Sequence, residues 1–201
     1  MESLSVAGFK FAAACAGIKN SDKNDCAIIV SDVPAACAGV FTQNKVVAAP
    51  VVITKPRIAA GRCQAIIVNS GNANACTGAT GIDDAVRCAA AVAQQLDIDD
   101  ELVAVSSTGV IGVPLPAEKL ISVVPALCDR LGRDEQRDVA EAIMTTDSFS
   151  KVAESTLTIG GQQCTVSAVA KGAGMIHPNM ATMLAFVVTD ANVARSCCNL
   201  C

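Results

Sequence analysis

The chain has no tryptophan, no tyrosine and a single histidine, and aromatic residues make up only 2% of it. Large rings cannot fill such an interior, so the apolar volume must come from alanine, valine, isoleucine and leucine. At 201 residues and 52% hydrophobic content, that volume suffices for a sizeable core. Basic charge is not in excess either. Fifteen lysines and arginines against 19 acids give a net charge of −4, which draws the chain to neither nucleic acid nor an anionic membrane. No apolar run approaches the ~20 residues of a membrane span. The N-terminal stretch MESLSVAGFKFAAACAGIK carries Lys10 and Lys19 inside its mildly apolar part. It lacks a basic segment followed by an uninterrupted apolar one, so no signal peptide is expected and a cytoplasmic location is.

Cysteine, in contrast, is abundant: eleven residues, an odd number. Without a secretory signal they read as reduced thiols, mostly buried as small hydrophobes. Only Cys197, Cys198 and Cys201 cluster, as CCNLC. The Cys198–Cys201 spacing suits a metal, but there is no second CxxC and His177 is the only imidazole, so no metal site is expected.

Along the chain, residues 26–31 (CAIIVS) and 38–41 read as short strands separated by a turn at Pro34. A short helix is expected from Ala49, with Pro56 arguing against a long one. Residues 64–68 (QAIIV) and 102–105 form apolar strands, each running into a polar, glycine-containing turn. The spacing of Ala85, Ala89, Val92 and Leu96 predicts a helix over 83–96. Another is predicted over 117–131, kinked or divided at Pro125, and a third is capped by Asp134 and runs to Met144. Residues 152–159 and 163–170 flank Gly160-Gly161 as a hairpin. With no internal repeat or linker, the pattern is one mixed α/β unit.

The stretch richest in chemistry is KGAGMIHPNMATMLAFVVTD, residues 171–190. A glycine-rich loop delivers the hydroxyl of Thr182 to the start of an apolar strand, directly after the small residue Ala181. A hydroxyl held against the preceding carbonyl can attack it, move the acyl group from nitrogen to oxygen, and let water cleave the ester. The freed α-amine of Thr182 could then act as base for its own hydroxyl. The plainer reading is a loop entering a core strand, since threonine favours strands in any case. A similar pair of readings attaches to a further stretch. In SSTGVIG, from residue 106, a threonine hydroxyl or a glycine N–H could donate to an oxyanion, or the stretch is an ordinary strand-to-helix turn. MTTDSF, residues 144–149, combines two hydroxyls and a carboxylate at a helix end, and its plain reading is a C-terminal turn with Asp147 capping the next segment.

Taken in order, AGIK (16–19), SDVPAACAGVFTQN (31–44), SGNANACTG (70–78), SSTGVIG, AIMTTD and KGAGMIHPNMATMLAF closely resemble the ornithine acetyltransferase family, the glutamate N-acetyltransferases of arginine biosynthesis. The resemblance implies a layered α/β/α fold similar to the N-terminal-nucleophile hydrolases. It implies autocatalytic cleavage between Ala181 and Thr182, with Thr182 as acyl-carrying nucleophile, and an oxyanion hole from Thr108 and Gly109. Thr145, Lys171 and Thr182 would contact substrate. A lysine suits that role because the amino-acid substrates carry an α-carboxylate. The family reaction moves acetyl from N-acetylornithine to the enzyme, releases ornithine and passes acetyl to glutamate; some members also use acetyl-CoA. No other cofactor is implied.

By the same resemblance, His177 is not the base, and SGNANACTG is scaffold. Residues 1–181 correspond to an α chain and 182–201 to the start of a β chain. The intact family enzyme would join two α and two β chains, and this chain would need the complementary β-chain half. Two other functional readings stay open: a related Thr-nucleophile amidohydrolase or aminopeptidase that passes the acyl group to water, and an inactive fragment.

Overall fold

A computed structural model describes residues 4–174 and 182–194. Its first sheet has four strands in the order β1 (Phe9–Ala14), β2 (Cys26–Ala36), β3 (Arg62–Asn72) and β4 (Val103–Val110). The first two pairings are antiparallel and β3–β4 is parallel. A parallel neighbour needs a crossover, and helix α2 (Gly78–Leu96) supplies it. Helix α1 (Ala49–Ala59) joins β2 to β3. Helices α3 (Ala117–Arg130) and α4 (Gln136–Ala142) lead from β4 to the second sheet. That sheet is an antiparallel array of β5 (Lys151–Ile159), β6 (Gln162–Lys171) and β7 (Leu184–Thr189).

Strand alternation divides the core in two. Ala12, Cys26, Ile28, Val30, Ala65, Ile67, Val103 and Val105 pack beneath α2 and α3, against Ala89, Val92, Leu120 and Leu127. On the opposite face Phe11, Ala13, Ala27, Ile29 and Val68 meet Val139 of α4, Ile143 directly after it, and Val169 and Val188 of the second sheet. The layered α/β class is therefore as expected. Among the described residues, the buried side chains of both cores are small or aliphatic apart from Phe11, with Phe9 and Phe186 packed against the second from its rim.

Several local expectations are corrected. Residues 38–41 form no strand. Instead β2 runs on to Ala36 through Pro34, where the ladder to β3 shifts register between Val30 and Ala35. At such a bulge the missing proline N–H costs no ladder bond. Helix α3 passes unbroken through Pro125, and α1 through Pro56. Both prolines lie on the exposed side, where the carbonyl that each leaves unbonded can be hydrated. Asp134 does not cap α4. Its carboxylate accepts from the N–H of Ala13 (3.0 Å) and from Arg130 (2.7 and 2.8 Å), while Glu135 occupies the cap position and its N–H donates to Asp138 (2.8 Å).

The outer edge of β4 is covered by α1. The Thr54 hydroxyl donates to the carbonyl of Val105 (2.7 Å) and accepts from the Val105 N–H (2.9 Å). Arg57 donates to the carbonyl of Val103 (2.8 Å) and pairs with Asp100 (3.0 Å). No helix among the described residues is long and apolar enough to cross a membrane.

Candidate active site

The parallel strands β3 and β4 end side by side at Ser70–Asn72 and Thr108–Val110, and these ends carry two of the sequence-predicted positions. At Gly109, φ is +137°, a region that side chains avoid. A Cβ there would lie 2.3 Å from the carbonyl carbon of Gly71 and 2.5 Å from the amide nitrogen of Asn72. The two backbones thus touch at a point that only glycine allows.

From the other sheet, the last residue of β6 reaches the same place. Lys171, 4% exposed, donates through Nζ to the hydroxyl oxygen of Thr108 (3.0 Å), itself 5% exposed. It also donates to the carbonyl of Thr182 (3.5 Å), two residues before β7 begins. Three of the residues singled out from the sequence therefore meet around one ammonium group. An ammonium can only donate. Thr108 Oγ1 is consequently the acceptor in this bond, and its own O–H is left to point elsewhere. Burial pulls Lys171 below the ordinary lysine pKa, the charge of Asp147 opposes that pull, and Lys151 adds to it.

Asp147 ties in Thr145. Its side chain is wholly enclosed and paired with Lys151 at 2.6 Å. The carboxylate also accepts from the N–H groups of Gly172 (2.8 Å) and Thr145 (3.2 Å). Burial alone would raise this carboxyl, but the Lys151 hydrogen bond, the two amides and the Lys151 charge outweigh it and hold the pKa at about 2. Read from the sequence as a turn cap at most, Asp147 proves to be the junction between the 144–149 loop and the Lys171 segment. The signal available was Lys151, four residues on.

The remaining motifs form the support. Buried Asp25 accepts three backbone N–H bonds, from Ala16, Ile18 and Lys19 (2.6, 2.6 and 2.9 Å), which shapes the AGIK loop. Lys19 and the Ser70 hydroxyl both donate to the carbonyl of Ala142, the last residue of α4. This fastens the helix end that leads to Thr145. Within SGNANACTG, Asn72 donates to the carbonyls of Val113 (3.2 Å) and Pro114 (3.1 Å) and accepts from the Asn74 N–H (2.8 Å). The scaffold reading of that motif rests on these bonds. Ala181, His177 and the cysteines at 197, 198 and 201 lie outside the described residues. Among the described residues, no group of three or more His, Cys, Asp or Glu side chains could hold a metal ion.

Residues 10–201 match the ArgJ family profile. The chain belongs to the ArgJ family. An arginine biosynthesis bifunctional protein ArgJ from Syntrophotalea carbinolica is 60% identical over 190 residues, covering 94% of this chain and 48% of that protein. The Geobacter sulfurreducens ArgJ is 52% identical with the same two coverages. The chain thus spans about half the length of the curated relatives it matches. Among solved structures, the ornithine acetyltransferase of Mycobacterium tuberculosis, in complex with ornithine, superposes with a TM-score of 0.81 at 40% identity. That match covers 90% of this chain and 94% of the solved one, so the solved ArgJ-family chain is of similar length.

Proposed function

We propose that this chain supplies the α-chain region of a glutamate N-acetyltransferase of arginine biosynthesis together with the start of its β chain, where Thr182 is the nucleophile. The observation that carries the reading is the meeting of Lys171 with Thr108 and with the Thr182 backbone at the ends of β4 and β6. In the proposed sequence, the Thr182 hydroxyl attacks the carbonyl of Ala181 and the acyl group moves from nitrogen to oxygen. That shift breaks the Ala181–Thr182 amide and frees the Thr182 amine; water then cleaves the ester, releasing the Ala181 carboxylate and the Thr182 hydroxyl. The amine next serves as base while the Thr182 oxygen attacks the acetyl carbonyl of N-acetylornithine. Thr108, through the O–H that it does not spend on Lys171, and Gly109, through its N–H, steady the negative oxygen that develops. Ornithine leaves, and the α-amine of glutamate takes the acetyl group from Thr182; acetyl-CoA is a second acetyl donor consistent with the resemblance. Lys171 and Thr145 hold the amino-acid part of the substrate.

The coverages support the cut. Curated relatives are about twice as long as this chain, whereas the M. tuberculosis solved chain is covered almost completely by it. A second, β-type chain following the cut would complete the site, in an assembly of two chains of each kind. The test supplies the chain with the second half of a close relative, as one continuous precursor. The unmodified precursor should yield two fragments with a new N-terminal threonine, and Thr182→Ala should stay whole. Normal cutting of Thr182→Ala would end the nucleophile assignment. Release of ornithine from N-acetylornithine without appearance of N-acetylglutamate would favour hydrolysis over transfer.

A further inference from the structure

We propose that Asp147 is a positioning residue whose enclosed carboxylate, bonded to the N–H groups of Thr145 and Gly172 and paired with Lys151, holds Lys171 against Thr108 as a charged donor. The catalytic consequence of this rests on the acetyl-transfer reading above; the geometry does not.

Gly172 directly follows Lys171, so fixing its N–H at 2.8 Å fixes where the lysine side chain sets out. The same carboxylate fixes Thr145. One buried group thereby sets the separation between two residues proposed to grip the same substrate. Its charge matters as much as its bonds. Lys171 lies in an almost dry setting, and an ammonium there is unfavourable without a counter-charge. The charged groups that act on it are Asp147, which favours the ammonium, and Lys151, which disfavours it. Lys19, from the loop after β1, faces Asp147 as well.

If Lys171 lost its proton, the neutral amine would accept the Thr108 hydroxyl hydrogen. Thr108 would then spend its only O–H on the lysine and have none for an oxyanion. The carboxylate of Asp147 therefore acts on Thr108 without touching it, through the protonation of Lys171. A purely structural Asp147, gluing a loop to a strand end, would have no such effect on proton affinity.

The two readings separate in a titration of the chain carrying 13Cε-labelled lysine, followed by NMR, with the Lys171 resonance assigned by its loss in Lys171→Arg. Asp147→Asn keeps an oxygen that can accept an N–H but removes the charge, so the Lys171 midpoint should move to lower pH. Lys151→Gln removes a repelling charge and leaves Asp147 ionised in the alkaline range, so the midpoint should move to higher pH. Shifts of opposite sign support the proposal. Unchanged midpoints, or shifts of the same sign, overturn it. Should Asp147→Asn fail to fold, the Lys151→Gln result decides alone, a rise supporting the proposal and its absence overturning it.

In the precursor completed with a relative's second half, the alkaline limb of the transfer rate should move in the same directions. Asp147→Asn should also lose up to about a hundredfold in kcat through misplacement of the site. Absence of transfer in the unmodified enzyme would count against the acetyltransferase reading, and the lysine titration would still decide the role of Asp147.

Discussion

Replacing Gly109 with alanine tests whether the contact between β3 and β4 is a requirement of the fold. Two costs add. At φ of +137° a residue with a side chain is strained by about 1–3 kcal/mol. The new methyl would also sit 2.3 Å from Gly71 C, 2.5 Å from Asn72 N and 2.7 Å from Gly71 O. These are backbone atoms of a strand held on both sides, so they cannot swing away as a side-chain tip would. Forcing them apart costs roughly another 1–3 kcal/mol. The sum, about 2–6 kcal/mol, is a large share of the roughly 5–15 kcal/mol that keeps a domain folded. For a chain of 201 residues, each kcal/mol is worth about 2–4 °C of melting temperature. Gly109→Ala should therefore melt about 4–24 °C lower. Gly112→Ala is the control: φ there is +79° but nothing lies within 4 Å of the added carbon, leaving only about 1–2 kcal/mol of strain. Scanning calorimetry of the two variants side by side checks the reasoning. If they melt within about 2 °C of one another, the close approach contributes nothing.

Thr108→Ala should slow acetyl transfer by roughly ten- to a thousandfold with little effect on substrate affinity, as loss of one aligned donor does. Unchanged turnover with a raised KM would instead make Thr108 a binding residue. The carboxyl of Asp147, held at about 2 against an ordinary 3.8, contributes stability that is fully present above its unfolded pKa and lost as pH falls through about 2, on the order of 2 kcal/mol. Urea midpoints of the native chain and of Asp147→Asn should accordingly converge between about pH 5 and pH 2; a gap that does not change with pH would contradict this.

Much of this fold was legible where the sequence repeats one signal over several residues. The run at 64–68 had to be a buried strand, and α2 announced itself by its apolar spacing, although the helix begins at Gly78, ahead of the expected Asp83. Strand β1 went unread because FKFAAA has no β-branched residue and alternates only over Phe9–Phe11 before three alanines; its extended shape comes from pairing with β2. The prolines misled because their cost depends on which side of an element faces water, which is a tertiary fact. At the candidate site, local chemistry allowed Thr108, Gly109 and Thr182 either a catalytic role or a plain turn, and the family resemblance, not the physics, chose between the two and added Lys171. Asp147 stayed hidden because its partners come from two elements, and its burial is visible only once β6 is laid against the 144–149 loop.

Thr54 does more for the sheet than hold one helix against it. Its hydroxyl both gives and receives a bond at Val105, which is what the peptide unit of a neighbouring strand would do. Arg57 does half of the same at Val103. The helix α1 thus impersonates a fifth strand for the length of β4 that lies far from the site. A sheet edge offering unpaired amides invites pairing with other chains, and here that invitation is withdrawn by two side chains and not by another strand. Thr54→Val, nearly the same in shape but without the hydroxyl, would strip one donor and one acceptor from the decoy. Its signature would be self-association rising with protein concentration, in a molecule whose core packing is otherwise untouched.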